Sequence, residues 1–334
     1  MGEETDHQEA AEAPVGLEHL LDPGARLEKV AGGCTWNEGP AWVRPPGLGH
    51  GVLRWSDIPG DRIMQLDPTD GAVTVHRAGV EFTNGRTPAP DGGVYQCSHG
   101  LRRVEHEVDG PDGPVVTPLA QRWNGARLNS PNDVVCAADG SVWFSDPPYG
   151  IVMEGEGHPG EREYAGSFVF RVVPGEEPSV VVTDLVAPNG LAFSPDESVL
   201  YVSDTSSTLP WGGDGHHVRA YDLVRWPDGG LTAARGRTVA VTGRGVPDGF
   251  RVDVEGRIWT SSLDAVLVWD ADGAEIGRVP VPEVISNVTF GGEDGHDLYV
   301  CASTSVYRIT TTTTGATTAR ESGARDAAAG GGRP

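Results

Sequence analysis

Apolar residues recur along this chain in short alternating runs. Val169-Phe-Arg-Val-Val173, Val218-Arg-Ala-Tyr-Asp222 and Val266-Leu-Val-Trp-Asp270 are examples, and turns such as Asp67-Pro-Thr-Asp-Gly71 and Asp270-Ala-Asp-Gly273 bound the strands. A period of two with Gly, Pro and Asp at the breaks predicts half-buried β-strands rather than helices. Further runs at Val73–Val75, Ser179–Val182 and Arg237–Val241 read as edge strands, and the one helix candidate of useful length is Val15–Leu21.

These runs belong to a larger repeat. Six times a Gly- or Asp-containing turn leads to an aromatic followed by small polar residues, with the aromatics at Trp55, Tyr95, Trp143, Tyr201, Trp259 and Tyr299. Their separations of 40 to 58 residues match one four-stranded antiparallel propeller blade plus loops. Eleven or twelve residues before five of the aromatics, and 17 before Trp55, stands an oxygen-bearing side chain: Glu38, Asn84, Asn132, Asn189, Asp248 and Asn287. If each opens the innermost strand of its blade, all six point to one end of the central channel. Asn84-Gly85, Asn189-Gly190 and Asp248-Gly249 are also ordinary turn dipeptides, so the repetition in phase is what separates a site from a set of turns. After Tyr299, Ser305–Ile309 supplies a third strand and the sixth repeat then runs out; Ala25–Val30 is expected to complete it. The expected architecture is all-β, a six-bladed β-propeller closed by an N-terminal strand. It occupies residues 17–310, between a disordered acidic tail (1–16) and a disordered Thr-, Ala- and Gly-rich tail (311–334).

Composition narrows the function. The chain has 334 residues with 47 Gly and 26 Pro, and enough apolar residues for a substantial core, so neither disorder nor a collagen-like fibre fits. A formal charge of −23 repels phosphate backbones and anionic lipid, so no nucleic-acid or membrane partner is expected, whereas a cation is. Cys34, Cys97, Cys136 and Cys301 lack metal-type spacing and read as reduced thiols, which with the absence of an export-type N-terminus points to a cytoplasmic protein. The single lysine, Lys29, disfavours Schiff-base or P-loop chemistry, and GxSxG and HExxH are absent. Glu38, Asn132, Asn189 and Asp248 offer hard oxygen donors, which suit Ca²⁺, Mg²⁺ or Mn²⁺ better than a structural Zn²⁺ site. The two long loops after the third and fourth aromatics, at 150–166 and 205–217, read as walls or lids over the pocket.

The ordered set Asn37-Glu38-Gly-Pro-Ala-Trp42, Arg127-Leu-Asn-Ser-Pro-Asn132-Asp133, Ser145-Asp-Pro-Pro-Tyr-Gly150, Pro188-Asn189-Gly-Leu191 and Pro247-Asp248-Gly-Phe250 resembles the senescence-marker-protein/gluconolactonase (regucalcin-like) family of six-bladed propellers. The resemblance spans about residues 25–309. It implies one divalent cation held by Glu38, Asn189 and Asp248, with Asn132 as a further metal or substrate ligand. Ca²⁺ is favoured, with Mg²⁺, Mn²⁺ or Zn²⁺ as alternatives. It also implies hydrolysis of a sugar lactone or related ester, in which the cation polarises the carbonyl while Asp248 takes a proton from the attacking water, or a metal-bound hydroxide is itself the nucleophile. His99, Arg127 and Tyr149 are expected to contact the substrate, although neither they nor the long loops define a gluconolactone pocket. Two other readings stay open: an organophosphate hydrolase or biosynthetic tailoring enzyme using the same Lewis acid, and a non-catalytic Ca²⁺-binding scaffold. A monomer or weak homo-oligomer acting on a small molecule is expected.

Overall fold

The computed structural model describes residues 12–226 and 231–317. Its strands form six four-stranded antiparallel sheets and one two-stranded hairpin, and five of the six are built in chain order from the centre outwards. Blade 1 is typical, with strands Asn37–Val43, Val52–Asp57, Arg62–Asp67 and Ala72–Ala78. The six inner strands, Asn37–Val43, Thr83–Pro88, Val134–Cys136, Pro188–Phe193, Phe250–Val252 and Ile285–Gly291, contact one another in sequence, and the last returns to the first. The result is a closed six-bladed β-propeller around a central channel. In blade 6 the strands Ile285–Gly291, Asp297–Ala302 and Ser305–Thr310 are completed by Glu28–Gly32, which pairs antiparallel to the last of them from Glu28 opposite Arg308 to Gly32 opposite Ser305. The ring therefore closes through the N-terminal segment, as the shortfall of the sixth repeat predicts.

The repeated aromatics lie on the second strand of every blade and all are buried, with Trp55, Trp259 and Tyr299 fully so. They fill the space between successive sheets, and packing of this kind gives each interface an apolar cluster. The junction of blades 1 and 2 differs. Its apolar cluster is only Ala41, Val43, Val52 and Val94, and the remaining space holds an ion network. Arg54 pairs with Asp109 at 2.8 Å, while the fully buried Arg86 reaches Glu107 at 3.4 Å and Arg77 approaches the same carboxylate.

Both ends of the chain depart from expectation. Val15–Leu21 forms no helix. Val15 exchanges two backbone hydrogen bonds with Arg278, and Leu17, Leu20 and Leu21 bury their side chains against blades 5 and 6. Tertiary packing thus overrides the local pattern. At the other end residues 311–317 are placed: the Thr312 N–H donates to Leu20 O, the Val254 N–H to Thr314 O, and Thr311 and Ala316 are buried. The expected disorder of residues 1–11 and 318–334 lies outside the described residues. Short helical pieces include Tyr149–Val152 and the 3-10 turn Ser206–Thr208, and no helix among the described residues is long and apolar enough to cross a membrane.

Candidate active site

Each in-phase polar residue lies at or just before the start of its inner strand. Glu38, Asn84 and Asn189 are the second residues of theirs, Asn287 is the third, and Asn132 and Asp248 lie two positions ahead. At four of the six the antiparallel register slips: between Glu38 and Ala41, Thr83 and Arg86, Pro188 and Leu191, and Ile285 and Asn287. A bulge re-aims a side chain out of the pleat, and here it does so at the channel mouth.

The glycines that follow these residues are not turn residues. The Gly85 N–H donates to Asn132 O at 2.8 Å and the Gly190 N–H to Asp248 O at 3.1 Å, so each dipeptide docks on the next polar residue around the ring. A Cβ at Gly85 would lie 2.5 Å from Asn132 O, and one at Gly190 would lie 2.4 Å from Asp248 O. Only glycine permits that approach. The turn interpretation of Asn84-Gly85 and Asn189-Gly190 is therefore replaced by a contact between blades.

Above this ring is a cavity of about 370 Å³. Glu38, Asn84, Asn132, Asn189 and Asp248 line it, and all but Asp248 are buried. Asp248 keeps part of its surface in the cavity. Glu38 Oε2 accepts from the Gly39 N–H at 2.6 Å and from Asn287 Nδ2 at 3.0 Å. Burial nevertheless pushes the Glu38 carboxyl up to about 7, with Asp133 adding repulsion. Burial, then the charges of Glu38, Glu156 and Asp133, raises Asp248 well above the carboxylate range. Among the described residues no Lys, Arg or His lines the cavity. Carboxylates and carboxamides crowded into a low-dielectric floor without a basic partner leave negative charge uncompensated. That donor set fits a hard divalent cation.

Of the three residues expected at the substrate, Tyr149 alone lines the cavity. Its hydroxyl donates to Thr205 O at 3.0 Å and lies 2.7 Å from Thr205 Oγ1 and 3.1 Å from Thr208 Oγ1, so it ties the two long loops together. Arg127 does not line the cavity; it sits in the hairpin Arg122–Trp123/Ala126–Arg127, where its N–H donates to Glu163. His99 is fully buried and does not line the cavity either. It stands behind Asn84. Its Nδ1 is 2.9 Å from the carbonyl of Glu156, an acceptor only, so Nδ1 carries the proton. Burial holds the imidazole down at about 4, which keeps Nε2 an acceptor for Asn84 Nδ2 at 3.1 Å. This fixes the Asn84 carboxamide and leaves its Oδ1 buried without a hydrogen-bond partner.

The neutrality of His99 has a measurable consequence. Its folded pKa lies below the unfolded value, so the native state loses stability as pH falls from about 6.5 towards 4. At pH 5 the loss should be roughly 2 kcal/mol relative to pH 8. His99→Gln should flatten the acid slope by that amount in urea melts at the two pH values. An unchanged slope would show that His99 titrates normally.

Sequence reasoning named neither Glu156 nor the apolar lining. Glu156 comes from the 150–166 loop, and burial raises its carboxyl to about 7. The loop is anchored where Tyr164 donates to Asp146, whose carboxylate also accepts the Asn129 and Ser130 N–H groups. One further group of potential ligands, His76, Glu107 and Asp109, has its donor atoms within 4.8 Å of one another. Although burial opposes ionisation of Glu107, the His76 hydrogen bond and the charges of Arg86 and Arg77 hold it far below the usual carboxylate range. With guanidinium partners already present, that group is an ion-pair network rather than a rival cation site.

The model of the SMP-30/gluconolactonase/LRE-like region matches residues 36–304. A gluconolactonase of Zymomonas mobilis is 31% identical over 323 residues, covering 90% of this chain and 85% of the relative. A pentonolactonase of Haloferax volcanii is 31% identical over 277 residues, covering 80% and 81%. Among solved structures, a gluconolactonase from Xanthomonas campestris superposes with a TM-score of 0.79 at 35% identity, covering 90% of this chain and 95% of that one.

Proposed function

The chain belongs to the SMP-30/gluconolactonase/LRE-like family, and we propose that it is a lactone hydrolase whose centre is the cavity over Glu38, Asn132, Asn189 and Asp248. The observation that carries this reading is the convergence of two carboxylates and two carboxamides on one cavity floor with no basic side chain among the lining residues. The named relatives act on lactones, which favours this reaction over organophosphate hydrolysis or a purely structural role.

Glu38, Asn189 and Asp248 would hold a divalent cation, with Asn132 beside it. When bound, the cation supplies Lewis acidity at the lactone carbonyl. Asp248, the least covered of the four, accepts a proton from the water that attacks the carbonyl carbon. The ring C–O bond then breaks, and the proton passes to the departing alkoxide to give a hydroxy acid. Asn132 orients the lactone. Asn84, aligned by His99, offers Oδ1 as an acceptor for a substrate hydroxyl; His99 thus acts through Asn84 as a positioning residue and not by contact.

A pH-indicator assay on a lactone panel, with and without chelator, tests the reaction; activity that survives metal removal would refute the cation's part in it. The ligand set is tested by elemental analysis after dialysis. One divalent cation per chain is expected in the parent protein and much less in Glu38→Gln, because two carboxylates supply the formal charge of the set. Unchanged metal content in both Glu38→Gln and Asp248→Asn would place the cation elsewhere.

A further inference from the structure

The walls of the cavity are divided by character, and the division follows the blades. Blades 5, 6 and 1 contribute Val246, Leu263, Val284, Ile285, Trp36 and Ile58. Leu263 and Val284 are 36% and 39% exposed and stand at the rim, whereas Ile58 and Ile285 are buried. The one hydroxyl on this side, Ser262 Oγ, donates to Ala265 O at 2.6 Å and accepts the Ala265 N–H at 3.3 Å, so it is already paired. Blades 2, 3 and 4 contribute the more polar wall, from Asn84, Tyr149, Glu156, Thr205 and Thr208, with Met153 an apolar side chain among them. Its hydroxyls bond to one another and to Thr205 O, while Asn84 Oδ1 remains an unsatisfied buried acceptor.

We propose, building on the lactonase reading, that the substrate is an uncharged lactone with an apolar substituent: its oxygens face blades 2–4, and an alkyl or aryl group lies along the wall from blades 5, 6 and 1. Two considerations lead there. A phosphate, sulfonate or carboxylate on a substituent away from the cation that Glu38 and Asp248 would hold meets Glu156, with no basic side chain among the described lining residues to receive it, and an unpaired charge in such a site is strongly disfavoured. A sugar lactone hydroxylated on all sides would set hydroxyls against Ile58, Ile285 and Leu263, side chains that offer no hydrogen-bond partner. An apolar substituent instead removes both surfaces from water.

The test is a kinetic series on the full-length, metal-loaded protein. For δ-valerolactone and its homologues with lengthening 5-alkyl chains, kcat/KM should rise about fourfold per added methylene for the first few carbons, the factor expected for a CH₂ leaving water. Glucono-δ-lactone should be hydrolysed at least a hundredfold better than its 6-phosphate. Leu263→Ser should shrink the gain per methylene, and Val284→Ser, on the neighbouring blade, provides an independent check should the first variant unfold. A flat chain-length series in a protein that hydrolyses glucono-δ-lactone would overturn the substrate class and leave the lactonase reading standing, as would equal or better turnover of the phosphorylated lactone. A steep series left unchanged by both variants would overturn the assignment of the wall. Failure to hydrolyse any lactone would overturn both readings.

Discussion

Asp248→Asn, fully loaded with divalent cation, should turn over its best lactone roughly 10²–10⁴-fold more slowly than the parent protein, the usual effect of losing a positioned base. The substitution keeps the shape and one oxygen donor of the side chain but removes the group able to accept the proton from water. Asp248 is singled out because it is less covered than Glu38, whose Oε2 already accepts two hydrogen bonds. Asn132→Ala provides the contrast. It removes no charge, so its defect should fall mainly on KM, with kcat less affected. Both variants need their metal content measured alongside kinetics at saturating cation. Turnover near the parent value in metal-loaded Asp248→Asn would remove Asp248 from the base role.

Removal of residues 1–36 should abolish the cooperative native state. The deletion takes away Glu28–Gly32, the outer strand of blade 6, and exposes the edge of Ser305–Thr310. It also removes Leu17, Leu20 and Leu21 from the cluster at blades 5 and 6. At about 1.5–3 kcal/mol per buried leucine, those three side chains alone approach the 5–15 kcal/mol net stability of an ordinary domain. Among the described residues, removal of residues 1–16 forfeits the two hydrogen bonds at Val15, itself exposed, or about 1–3 kcal/mol. Thermal unfolding followed by circular dichroism distinguishes the two: a cooperative transition is expected for the shorter deletion and none for the longer. A soluble, cooperatively melting protein lacking residues 1–36 would mean that the ring closes without its N-terminal strand.

Much of the architecture was legible in the residues because its determinants are local. Alternation of apolar and polar positions defines a strand, Asp, Gly and Pro define the turn that ends it, and six aromatics in phase define six blades. The closing strand followed from counting, since a sixth repeat with three strands needs a fourth. The in-phase oxygens were legible for the same reason: corresponding positions at or near the start of each inner strand converge on one axis.

The rest required the tertiary structure. Asn-Gly pairs have one local meaning, and only the ring shows Gly85 and Gly190 serving as contact points between blades. His99 and Arg127 flank site motifs in sequence, but His99 packs behind Asn84 and Arg127 lies outside the cavity. Glu156 lies in a loop with no periodicity to report its direction, and its carboxyl reaches the cavity because the Tyr164–Asp146 contact helps hold that loop. Above all, the division between apolar and polar walls exists in no single segment. Trp36, Ile58, Val246, Leu263, Val284 and Ile285 come from three blades at opposite ends of the chain, and they form one surface only because the strand at 28–32 closes the ring. Strand and turn preferences act over a few residues, whereas a cavity wall is set by where separate segments meet. Local residue preferences specify the blades and the polar ring; the meeting of distant segments decides which side chains line the cavity.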